Sequence, residues 1–173
     1  MTYETALLII PPPPVQAFSY PWREEHDQES FIKVPAHITL FYPFVPPDKV
    51  DDSVAQLEKL GGDTTPFDVL LDKYGQFEGV LFLEPADPDP IKNLYQRVVE
   101  SFPEYAHSEI NSGIAFHPHL TLARSDNPEG FTKLELPLEP HFSFTVNKIH
   151  LYLGSPDDDI PYVPRAVIPL GAA

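Results

Sequence analysis

Two four-residue segments of the 173-residue chain share one pattern: His37-Ile38-Thr39-Leu40 and, 82 positions on, His119-Leu120-Thr121-Leu122. At this composition His-x-Thr-Leu should arise about 0.03 times by chance, so two copies have a probability on the order of 10⁻³. Each copy sets an imidazole and a hydroxyl two residues apart. On a strand that is one face, and Ile38, Leu40, Leu120 and Leu122 then turn to the other. Two histidines titrating near neutrality can serve as base and acid in one displacement at phosphorus. Two threonine hydroxyls can donate to the non-bridging phosphoryl oxygens, where charge accumulates. With protons handled at both ends, this chemistry calls for neither metal nor cofactor, and its rate should follow a bell between about pH 5 and 8.

The elements around the motifs must hold both imidazoles toward one substrate. Residues 6–10 form an apolar run closed by Pro11, which reads as a buried strand. Residues 15–30 are ambiguous, with Trp22, Arg23, Glu24, Glu25 and His26 compatible with a helix. The first motif lies in an expected strand over 36–41. Residues 48–60 read as a helix with an acidic start and Gly61-Gly62 at its end. Strands at 67–71 and 80–83 are expected to pair as a hairpin across Gly75 and Gly79. Residues 90–102 form the clearest helix, opened by Pro90, with Ile91, Leu94 and Val98 on one face. The second motif lies in an expected strand over 119–123. Residues 142–153 alternate like one long strand, and 163–168 read as a closing strand. Short strands with two amphipathic helices in mixed order indicate an α+β fold, and the length fits a single domain over 1–173.

Composition excludes other chemistries. Eleven Lys+Arg against 26 Asp+Glu leave a net charge of −15, so no long nucleic acid is expected as a partner. The absence of cysteine removes disulfides, thiolate catalysis and cysteine-ligated metal centres. No apolar run approaches the roughly 18 residues of a membrane span, and the N-terminus lacks the basic flank of a signal peptide, so a cytoplasmic protein is expected. Proline, at 22 residues, punctuates the chain without the composition of disorder.

The paired motifs, with residues 35–44 and 116–124 around them and an opening apolar strand ending in proline, resemble the 2H phosphoesterases. That superfamily includes 2′-5′ RNA ligase-like proteins and RNA 2′,3′-cyclic phosphodiesterases. The resemblance implies a bilobal, pseudo-twofold α+β fold, with two antiparallel sheets lining a central cleft and helices outside. It implies His37 and His119 as the catalytic pair, with Thr39 and Thr121 holding the phosphate. Tyr42, with Phe41 beside it, matches an aromatic near the substrate base, and Arg124 matches an arginine near the phosphate. His117 is expected to tune His119 from the same face. The implied substrate is a small nucleotide or short RNA end carrying a 2′,3′-cyclic phosphate, opened to the 2′-phosphate without a cofactor. His37 is then the acid and His119 the base. Strict alternation would turn Tyr42 and Arg124 to the opposite face from the histidines, unless each strand ends or bulges there.

Two other readings use the same residues. His117-Pro118-His119 can offer two imidazoles to one metal, which would need further ligands from other strands. A nucleotide-binding module without turnover would keep the pocket, although it has no need of both imidazoles.

Overall fold

The computed structural model describes residues 2–77, 79–106, 115–127, 129, 131, 134–137, 140–157 and 160–171. The strands are β1 (Glu4–Ile9), β2 (Ile38–Phe41), β3 (Phe67–Phe77), β4 (Val80–Pro85), β5 (Leu120–Arg124), β6 (Phe142–Val146), β7 (Lys148–Gly154) and β8 (Val163–Pro169). The helices are α1 (Pro13–His26), α2 (Gln28–Lys33), α3 (Val50–Gly62) and α4 (Asp89–Ser101), with a 3₁₀ turn at Pro47–Lys49 before α3. Among the described residues no helix is long and apolar enough to cross a membrane.

All strand pairs are antiparallel, in the order β6-β3-β4-β5-β2-β1-β7-β8. Two four-stranded halves meet where β5 touches β2, through the pair Ile38 opposite Leu120. The expected bilobal arrangement of two antiparallel sheets is therefore present, with that pair joining the halves into one curled sheet. The curl follows from connectivity. Strand β6 is at one edge and β7 is next to the other, yet only Asn147 separates them.

The expected single strand over 142–153 is thus corrected to two strands in different halves. Phe142, Phe144 and Val146 pack against the main core on even positions, whereas Ile149 and Leu151 do so on odd ones. The inward parity flips at Asn147, whose carbonyl accepts the Leu170 N–H at 2.8 Å. The ambiguous stretch 15–30 becomes two helices interrupted at Asp27, whose backbone (φ −147°, ψ 46°) is not helical. Proline opens α1 at its first positions, where a missing N–H costs nothing.

Ile38, Leu40, Leu120 and Leu122 are buried in one cluster with Leu57 and Leu60 of α3 and Ile91, Leu94 and Val98 of α4. Each fully buried aliphatic side chain contributes about 1.5–3 kcal/mol. A one-residue slip of either motif strand would expose two of them, so the core decides which face carries His and Thr.

Candidate functional site

The pairing of Ile38 with Leu120 makes the two motifs neighbours in space. Carried one residue either way, that antiparallel register sets His37 across from Thr121 and Thr39 across from His119. Both histidines sit just before their strands rather than within them. Each is held in the same manner: Nδ1 of His37 donates to the Pro35 carbonyl at 2.8 Å, and Nδ1 of His119 to the His117 carbonyl at 2.8 Å. A carbonyl can only accept, so Nδ1 carries the hydrogen and Nε2 is left as the atom that gains or loses a proton.

Both imidazoles are easier to deprotonate than a free histidine. Burial lowers His37 from its usual 6.5 to about 4, opposed by the Pro35 hydrogen bond and aided by the charges of Arg23, His119 and Arg124. Burial also lowers His119, opposed by its bond to His117 and aided by the charges of His117 and Arg124.

Two matched bulges decide where Tyr42 and Arg124 face. In β2 the register to β1 shifts so that Leu40 has no partner between Thr39, opposite Leu8, and Phe41, opposite Leu7. In β5 the register to β4 shifts so that Leu122 has none between Thr121, opposite Phe82, and Ala123, opposite Leu81. One extra residue reverses the facing of the residues after it. Tyr42 and Arg124, each five residues beyond its histidine, thereby return to the His/Thr side. Both line a cavity of about 260 Å³ together with His37, Thr39, Lys33 and Tyr162.

Phe41 is corrected. It is 1% exposed and packs against Phe44 and Tyr95 in the core, because the bulge turns it inward, so it does not line the site. Tyr42 donates to Glu4 Oε2 at 2.5 Å, and its oxygen lies 3.2 Å from the Tyr162 hydroxyl, so its ring is pinned at the cavity wall. His117 Nε2 lies 3.0 Å from Glu84 Oε2, and its ring centroid is 6.3 Å from that of His119. Phe77 and Phe82 set their rings against both of those imidazoles at centroid distances of 5.1–5.5 Å. Gly75 makes this possible, since a Cβ there would overlap the Phe82 ring.

Sequence reasoning did not find Lys33, Tyr162, Glu4, Glu84, Phe77 or Phe82. Lys33 is 8% exposed and donates to the Pro156 carbonyl at 3.0 Å, across 123 residues of chain. No local spacing signals such a contact. The bulges did leave a trace, in the consecutive buried pairs Leu40-Phe41 and Leu122-Ala123 at the same offset in each motif. Among the described residues no group of three or more His, Cys, Asp or Glu gathers as metal ligands, and His117 is engaged by Glu84.

A family model described as the 2′-5′ RNA ligase superfamily matches residues 11–158. A protein of Geobacillus kaustophilus carrying a phosphoesterase designation is 25% identical over 156 residues, covering 84% of each chain. One from Bacillus cytotoxicus with the same designation is 26% identical over 159 residues, covering 84% of this chain and 85% of its own. Among solved structures, TT0787 of Thermus thermophilus is similar with a TM-score of 0.72 at 20% identity, over 98% of this chain and 100% of its own. E. coli LigT complexed with phosphate is similar with a TM-score of 0.65 at 25% identity, over 97% of both chains.

Proposed function

Given that this chain belongs to the 2′-5′ RNA ligase superfamily, we propose that it is a two-histidine phosphodiesterase opening 2′,3′-cyclic phosphates on nucleotides or short RNA ends. The observation that carries this reading is the symmetry of the pair. Both imidazoles are anchored through Nδ1 on a carbonyl two residues back, and the Ile38–Leu120 pair at the β2–β5 junction brings the two motifs side by side in antiparallel register.

In the proposed reaction a water oxygen attacks phosphorus as the bond to the ribose O3′ breaks, roughly in line. One Nε2 takes the proton from water, and the other Nε2 delivers its proton to O3′, leaving a 2′-phosphate. Thr39 and Thr121 donate to the non-bridging oxygens, and Arg124 balances their charge. Tyr42 gives the nucleoside a fixed aromatic wall, and His117 acts on His119 through its carbonyl and its charge. That LigT, 25% identical, was solved with phosphate supports a phosphate-bearing ligand for this chain. The charge of −15 favours small substrates over long RNA.

The two histidines divide the work in a way that two arguments order differently. Family resemblance makes His37 the acid. Burial makes His37 the harder of the two to protonate in the free protein, which favours it as the base.

The test is a screen of 2′,3′-cyclic nucleotides and short RNAs with cyclic ends, in chelator, with the product isomer read by ³¹P NMR. Hydrolysis to the 2′-phosphate, indifferent to chelator, is expected. Binding without turnover would leave a nucleotide-binding module, and activity that is lost in chelator and restored by stoichiometric Zn²⁺ would overturn the reading in favour of a metallohydrolase.

A further inference from the structure

Asp27 sits at the break between α1 and α2 with its side chain 3% exposed, and two guanidinium groups close on it. Arg124 Nε stands 3.2 Å from Asp27 Oδ1, and Arg23 Nε stands 3.8 Å from Oδ2. A carboxylate is buried to this degree only when paired. Arg23 is itself buried, and its Nη2 donates to the carbonyls of Ser30 at 3.0 Å and Val34 at 2.8 Å. Val34 immediately precedes Pro35, whose carbonyl holds the His37 ring. A continuous set of contacts therefore runs from Arg124, after the second motif, to the segment that presents the first histidine, and Asp27 is at its centre.

The charges of this set are unequal. Two guanidiniums face one carboxylate, which leaves one positive charge uncompensated. Arg124 lines the cavity and its side chain is 55% exposed there, whereas Asp27 lies outside the lining. Lys33 and Glu29, which also line the cavity, pair with each other at 3.5 Å, so the surplus is presented beside His37 and Thr39, and a singly charged phosphodiester would balance it.

We propose that Asp27 is a positioning residue: its carboxylate aims Arg124 at the phosphoryl group, and through Arg23 it fixes the backbone of residues 30–34 that leads into Pro35 and His37. What Arg124 does for substrate rests on the phosphodiesterase reading above; the aiming by Asp27 does not.

The test has two arms. In the first, kcat/KM for adenosine 2′,3′-cyclic phosphate is measured for the wild type, Asp27→Asn, Arg124→Ala and the double variant. Asp27→Asn should lose about 10²-fold, the scale expected when a phosphate-contacting group is misaimed by about 1 Å. In the Arg124→Ala background the same substitution should cost less than a third of that factor, because its main target is gone. A single-variant loss under tenfold overturns the proposal. So does a loss in the double variant that multiplies in full, which is the behaviour of a merely structural carboxylate. The second arm needs neither turnover nor a folded Asp27 variant. The ¹⁵Nε–¹H signal of Arg124 in the ligand-free wild type, assigned by its disappearance in Arg124→Ala, should exchange slowly with water. Fast, solvent-like exchange overturns the proposal, whereas slow exchange with no hydrolysis of any cyclic phosphate counts against the phosphodiesterase reading alone.

Discussion

The depressed histidines move the whole pH dependence toward acid. With His37 at about 4, about one molecule in 10³ carries it protonated at pH 7. His119 also loses its proton below 6.5. Catalysis by one neutral and one protonated imidazole is fastest between the two values, whichever residue holds which role, because the values belong to the pair. The kcat/KM profile, which reports the free protein, should therefore be a bell narrower than about 2.5 pH units, peaking between about pH 4 and 6.5. Above the upper limb the rate should fall tenfold per pH unit. This is lower than the bell between pH 5 and 8 that unperturbed histidines would produce. A bound phosphodiester anion favours the protonated imidazoles, so the kcat profile should lie at higher pH than kcat/KM. Removing the nearby cation with Arg124→Ala should raise both limbs, since its charge lowers both histidines. The assay is initial rate against pH at constant ionic strength, with stability checked at each pH. A wild-type kcat/KM bell centred at or above pH 7 would refute the reasoning from burial.

Replacing either His37 or His119 by Ala should cost roughly 10²–10⁴ in kcat/KM, and the double variant should lose far less than the product of the two, as steady-state rates will show. A nitrophenyl phosphodiester, whose leaving group needs no proton, should rescue the variant lacking the acid and not the one lacking the base; rescue of neither would mean that both rings only position the phosphate. Tyr42→Ala should raise KM with little change in kcat, and an equal fall in both kcat and kcat/KM would place the ring in the transition state instead. Phe41→Ala should destabilise the fold by about 3–5 kcal/mol in urea titrations, as a large core side chain does, and a loss under about 1 kcal/mol would contradict its burial against Phe44 and Tyr95.

The chemistry-bearing pattern is a property of the amino-acid sequence alone. The repeat of His-x-Thr-Leu, with leucine or isoleucine alternating against histidine and threonine, specifies two strands, the face each presents and the groups they offer. Most elements are marked there too, because amphipathic period, proline at a helix start and apolar runs are local signals. The boundaries of α4 and β8 differ from expectation by no more than one residue. The division of residues 142–153 was written in the parity change at Asn147, although alternation over the first half reads as continuing.

How the motifs meet is set by the tertiary structure. That Ile38 lies opposite Leu120 depends on strands 82 residues apart, and no local preference encodes such a pairing. The bulges at Leu40 and Leu122 are likewise properties of strand pairs: β1 and β4 fix the register that returns Tyr42 and Arg124 to the site and buries Phe41. The same holds for the buried charges behind the site. Asp27, Arg23 and Lys33 lie in or next to a stretch that sequence leaves ambiguous, and they become buried partners of Arg124 and of the Val34 and Pro156 carbonyls once α1 and α2 pack in place. Local patterning can set which residues a strand shows, but distances across the fold set what those residues touch, and burial there sets how readily they hold a proton.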